Sequence, residues 1–154
     1  MGVECGRPET ETFKEMSSFL APLIEETAGR YYLKNQRTGA SVADCVMTAF
    51  DSESRRTGLL KHSHLPDGSA LIIAPTNAVH TFFMKFAIDL AFVTKKGEVV
   101  KTRTALGPWR MSGALRAYAV IELPAGALRR SDTKSGDTIV LAPLANAGGD
   151  RVPA

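Results

Sequence analysis

Six side chains carry most of the chemical potential of this 154-residue sequence: His80, Lys85, Asp89, Trp109, Arg110 and Glu122. Asp89 sits between Ile88 and Leu90, and Glu122 sits inside AYAVIELP, so both acids fall in runs that read as buried strand. A buried carboxylate must find a donor or keep its proton. Each acid is therefore either an internal clasp or the polar floor of a site. Lys85 and Asp89 share a parity, but four residues along a strand span roughly 13 Å, too far for a direct pair unless a bulge or bend intervenes. The donors expected for Asp89 are Lys85, Arg110 or a backbone N–H. An acid/base enzyme would need Asp89 or Glu122 within hydrogen-bond reach of His80 or Lys85 at the base of a cleft. Trp109 and Arg110 lie in ALGPWRMSG, a loop bounded by glycine and proline. An aromatic and a guanidinium on a loop beside a rigid sheet suit recognition.

Other chemistries have weaker support. His62-Ser63-His64 would share a face on a strand, but a metal needs a third and fourth ligand, and neither Asp67 nor His80 lies at a recognised spacing. Histidines there complement the end of a helix just as well. Cys45, inside an apolar run, reads as a small buried residue with no neighbouring base to activate it. The glycines at 58, 68 and 97 are isolated and serve turns, so no phosphate-cradling loop is present, and no GxSxG elbow occurs. No catalytic residue, metal ligand or cofactor is assigned.

The elements that must position these groups are mostly strands. YYLKNQ and SVADCVMTAF read as two strands joined by a short turn. DSESRRTGLLKHS is the one good helix of the body, capped by Asp51 or Ser52, with Leu59 and Leu60 facing inward. LPDG stops it, and ALIIA is a short buried strand. HTFFMKFAIDLAFV, residues 80–93, alternates as a core strand pair or one bent strand, with His80 heading the buried row. Lys95-Lys96-Gly97 turns the chain into EVVKTRT. AYAVIELP and TIVLA are further strands, and AGALRRSD is a short turn or helix. The expected fold is all-β: an antiparallel sandwich or distorted barrel of about eight short strands, one inserted helix and a helical N-terminal arm. The expected division is an acidic arm over 1–29, one β-rich domain over 30–142 and a polar tail over 143–154. Pro22 should bend or stop the arm's helix near Leu20.

Composition sets further bounds. A 44% hydrophobic content, 23% charge and two cysteines describe a soluble globular chain with no disulfide framework. No apolar run reaches the length of a span, and the first residues lack a secretory signal, so a cytoplasmic protein with no membrane partner is expected. The net charge of +3 is asymmetric: six acids and two bases give residues 1–29 a charge of −4, leaving +7 for the rest. Self-association through the acidic arm is one use of that asymmetry. The bases are scattered in sequence, which disfavours nucleic acid. The primary reading is a non-catalytic ligand- or protein-binding domain. The alternatives are a nucleic-acid-binding or regulatory module on the basic body, and an enzyme around Asp89, Lys85 and His80.

Several short pieces, taken in order, resemble a known family. They are Arg56-Thr57-Gly58-Leu59-Leu60, Leu65-Pro66-Asp67-Gly68, Phe83-Met84-Lys85 and Ile88-Asp89-Leu90-Ala91-Phe92-Val93. Val120-Ile121-Glu122-Leu123-Pro124-Ala125-Gly126 and Ser135-Gly136-Asp137 complete the set. Over residues 40–141 this order resembles the bacterial and archaeal family of domain of unknown function 192. The resemblance implies a small, mostly β, sandwich-like domain with short helices, and it carries no catalytic set or cofactor. HTFFMKFAID followed by LGPWR looks like a distinct branch: Phe83 stands for a typical Trp, Ala87 for Pro, and Ser69-Ala70 for Gly-Met.

Overall fold

The computed structural model describes residues 18–24 and 30–144. Ten strands and three short helices follow one another: α1 Ala21–Ile24, β1 Tyr31–Asn35, β2 Ser41–Ala43, β3 Cys45–Ala49, α2 Ser52–Thr57, β4 Ser69–Ile73, β5 Ala78–His80, β6 Ile88–Val93, β7 Val99–Leu106, β8 Met111–Gly113, β9 Ala119–Pro124, α3 Ala127–Arg130 and β10 Ile139–Pro143. The fold is mainly β, as expected, with ten strands rather than about eight and no closed barrel among them. The strands form three sheets, ordered β10-β1-β2, β3-β4-β9-β6-β7 and β5-β8.

The five-stranded sheet is the middle layer. All residues of β4, β6 and β9 are buried, and their alternate side chains enter two separate clusters. Ala70, Ile72, Ala91, Val93, Ile121 and Leu123 pack with Leu20, Leu33, Leu128 and Ile139, under the three-stranded sheet and α3. Leu71, Ile73, Ile88, Leu90, Phe92 and Val120 pack with Leu59, Leu65 and Met84 on the opposite side. A sheet covered on both faces needs apolar residues in both rows, which is why IDLAFV and AVIELP are apolar throughout except for their single acids.

The pairing departs from a purely antiparallel sandwich at one edge. β3 runs parallel to β4, because α2 carries the chain back across the sheet between them. Cys45 begins that edge strand and is exposed, which corrects the expectation of a buried thiol. The expected long helix after Asp51 is only six residues: Asp51 caps it through Ser54 N at 2.8 Å, and Gly58, at φ 45°, ends it. Leu59 is buried as expected. Pro22 lies inside the first turn of α1, where its missing N–H costs nothing; the helix expected to bend or stop near Leu20 falls mostly outside the described residues.

Residues 80–93 are neither a strand pair nor one bent strand. His80 ends β5, which pairs with β8, while β6 begins at Ile88 in another sheet. The intervening chain turns, with Met84 N donating to Thr81 O and Phe83 at φ 64°. His80 is exposed, not the head of a buried row, because β5 and β8 form a two-stranded ribbon at the surface. The arm's six acids and residues 145–154 of the tail lie outside the described residues.

Candidate functional site

Asp89 is wholly buried, and its carboxylate is fully occupied by backbone. Oδ1 accepts from Ala105 N at 2.8 Å, and Oδ2 accepts from Gly126 N and Leu128 N, each at 3.1 Å. Gly126, the cap position of α3, has no side chain to offer its free N–H groups, so Asp89 supplies the carboxylate from a neighbouring strand. Asp89 thereby joins β6, the end of β7 and α3. Neither Lys85 nor Arg110 reaches it, which removes Asp89 from the expected site.

Glu122 has the opposite environment. It sits in β9 opposite Leu71 on one side and Leu90 on the other, and is only 3% exposed. Its Oε2 is buried without a hydrogen-bond partner among the described residues. Loss of hydration penalises the ionised form, and the carboxyl is pushed up to about 7 from an ordinary value of 4.5. It lines a cavity of about 400 Å³ between α2 and the five-stranded sheet, together with Ile73 and Met84. Arg55, Arg56, Ser52 and Thr57 from α2, and Thr76 and His80 from the other side, complete its polar wall.

Of the six expected residues, the cavity brings together only His80 and Glu122. No hydrogen bond joins them among the described residues, so the contact an acid/base pair would need is not made. Arg55 is braced by Phe50 O at 2.5 Å and Ser52 Oγ at 3.3 Å. Neither Arg55 nor Arg56 has an acidic partner among the described ion pairs. Among the described residues the cavity thus holds two guanidinium groups without an ion-pair partner, an imidazole and a carboxyl that burial pushes up to about 7.

Trp109 and Arg110 lie outside the cavity but adjoin it through stacked rings. His80 stacks on Phe82 at 4.9 Å between centroids, Phe82 meets Trp109 at 5.9 Å, and Trp109 meets Phe83 edge-on at 4.6 Å. Thr81 holds this loop. Its Oγ1 donates to Gly107 O at 2.7 Å and accepts from Arg110 N at 2.9 Å, and its own N–H donates to Arg110 O at 2.8 Å. Lys85 and Arg110 are exposed beside these rings. Arg55 and Arg56 are site residues that the sequence does not single out, although Arg56 begins the Arg-Thr-Gly-Leu-Leu piece. Nor does it single out Thr81, for which no signal existed.

No group of three or more histidines, cysteines or acids suited to a metal occurs among the described residues, and His62 and His64 are exposed. The motif acid Asp137 has a structural role: Arg37 Nε donates to it at 2.7 Å and Asn35 Nδ2 at 2.9 Å. Those bonds hold its carboxyl well below the usual range and tie the β1–β2 turn to the loop before β10.

The family model of domain of unknown function 192, described as Uncharacterized ACR, matches residues 33–141. The search of curated proteins gave no match. The chain is similar in fold to a solved structure from Sinorhizobium meliloti 1021 described as a candidate transcription regulator, with a TM-score of 0.64 and 18% identity over 73% of this chain and 92% of that one. It is also similar to a protein of unknown function from Novosphingobium aromaticivorans DSM 12444, with a TM-score of 0.62 and 19% identity over 71% of this chain and 82% of that one.

Proposed function

The chain belongs to the domain of unknown function 192 family, and from that premise we propose that it is a non-catalytic binding domain for a small molecule held between α2 and the central sheet. One observation carries the reading: Glu122 lines a cavity while its Oε2, buried just behind that lining, has no hydrogen-bond partner among the described residues, and a native fold rarely leaves a polar atom unsatisfied without cause. The cavity lies between two of the pieces shared with the family, Arg56–Leu60 and Val120–Gly126. A ligand group that hydrogen-bonds Glu122 would satisfy the orphan oxygen, and the α2 guanidinium groups would bind an anionic end. A reducing, cytoplasmic setting belongs to the proposal, and the free, exposed Cys45 suits it.

The test is thermal shift of the full chain against small carboxylic acids, phosphate esters and amines. The expected result is a compound that raises the Tm of wild type but not of Glu122→Leu. Absence of any such compound, or perturbation of NMR signals only outside the cavity, would sink the proposal. A second reading rests on burial, which pushes the Glu122 carboxyl up to about 7, in the range that suits proton transfer. Under that reading, turnover of one of the same compounds would be lost in Glu122→Gln while its binding persisted.

A further inference from the structure

Four large apolar side chains are exposed among the described residues: Phe83 at 69%, Trp109 at 57%, Met111 at 69% and Leu115 at 95%. All four lie on the β5–β8 ribbon or the turns that flank it. Phe83 tips the turn after β5, Trp109 the loop before β8, and Leu115 the turn after β8, with Met111 opening β8 itself. Phe83 and Trp109 hold φ values of 64° and 62°, a left-handed conformation that bulky residues avoid unless the surroundings impose it. Here the Thr81 bonds impose it, fixing the loop that carries Trp109 while its ring stays exposed. The register puts Phe83, Trp109 and Met111 at one end of the ribbon and Leu115 beyond the other, and exposed apolar side chains held along one ribbon in this way mark an interaction site.

Charge narrows the partner. Segments 75–88 and 99–121 contain no aspartate or glutamate, yet they hold Lys85, Lys101, Arg103, Arg110 and Arg116. Each apolar tip has a cation next to it or two residues away: Phe83 with Lys85, Trp109 and Met111 with Arg110, Leu115 with Arg116. Lys101 is drawn inward by Gly113 O at 2.8 Å, whereas Lys85, Arg103, Arg110 and Arg116 are exposed.

We propose that the β5–β8 ribbon docks peripherally on an anionic lipid surface, with Phe83, Trp109, Met111 and Leu115 entering the acyl boundary and Lys85, Arg110 and Arg116 meeting the phosphates. This interaction is independent of the cavity reading. Alternating apolar tips and cations on separate turns fit hydrocarbon beneath a layer of phosphate. Single-stranded nucleic acid fits less well, because stacking needs ring faces and Met111 and Leu115 have none. A second copy would bring the same cations to the interface. The absence of a helix long and apolar enough to span a membrane among the described residues bears on spanning and not on docking.

Trp109 is the only tryptophan, so its fluorescence reports the site directly. The full chain is mixed with vesicles of phosphatidylcholine alone, or of equimolar phosphatidylcholine and phosphatidylglycerol, with and without brominated acyl chains. The expected result is a blue shift and bromine quenching with the anionic vesicles only. Affinity should fall about fivefold for each of Arg110→Gln and Arg116→Gln. It should fall at least about tenfold for Phe83→Ser with Leu115→Ser, which spares the reporter. Circular dichroism confirms that each variant is folded. Absence of bromine quenching overturns the proposal, as does binding that the serine variant leaves intact. A Trp109 shift caused by a single-stranded oligonucleotide, or by protein concentration alone, in place of vesicles would likewise overturn it.

Discussion

Asp89 and Glu122 are two acids in two central strands of one sheet, and their surroundings give them opposite chemistry. Asp89 accepts three backbone N–H groups and is a structural carboxylate. Asp89→Asn would turn an amide donor toward those donors and should cost roughly 3 kcal/mol in urea unfolding. A role confined to binding would leave stability unchanged. Glu122 is protonated in the native state up to a pH of about 7, but in the unfolded chain only up to about 4.5. Between those values the unfolded chain has released its proton while the native one retains it, so ionisation favours unfolding. The stabilising contribution of the neutral form is complete below 4.5, declines as pH rises to about 7, and is absent above it, a fall of about 3 kcal/mol. Glu122→Gln should flatten that slope and be the more stable protein at pH 8. Asp137, held low chiefly by Arg37, acts in the other direction: its contribution is present above the ordinary aspartate range and is lost on acidification.

At the scale of elements, the short α2 and the loop before β8 are positioned by single polar residues. Asp51 accepts from Ser54 N at 2.8 Å and from Ser54 Oγ at 2.6 Å, fixing the first turn of the helix that carries Arg55 and Arg56. Asp51→Ala should cost about 1 kcal/mol and weaken any ligand of the cavity without touching it. Thr81 plays the corresponding part for the Trp109 loop. Thr81→Val keeps the shape but deletes the donor to Gly107 O and the acceptor for Arg110 N, at about 2 kcal/mol. The polarisation of Trp109 fluorescence should fall with it, whereas a purely structural threonine distant from the loop would leave it unchanged. Asp51 was legible in the sequence because a helix cap is a local event, with acceptor and donors three residues apart. Thr81 was not, because its partners at Gly107 and Arg110 are long-range and meet only once β5 has paired with β8.

The same division between local and long-range information governs the whole molecule. Strand content, the turn at Gly97 and the apolar character of β4, β6 and β9 could be read from alternation and turn residues. What alternation could not reveal was that the middle sheet is covered on both faces. Alternation alone therefore puts His80 in a buried row it does not occupy, and groups Lys85 with an aspartate that belongs to the interior. Burial on two sides also requires two separate covers, and one of them begins before the first strand. Leu20 is completely buried in the cluster with Leu33, Ile121 and Ile139. Phe19 N donates to Lys95 O at 2.9 Å, and Phe19 closes on Gly97. At Gly97 a Cβ would meet Ile139 O, so the hairpin turn, the last strand and this leading segment occupy one crowded corner. Leu20→Ala opens a cavity there and should cost about 3 kcal/mol, read as a lower urea midpoint with an unchanged slope. A cost below about 0.5 kcal/mol would mean that the leading segment lies loosely on the body. The full cost would show that the three-stranded side of the sandwich needs residues 18–24 to close its core.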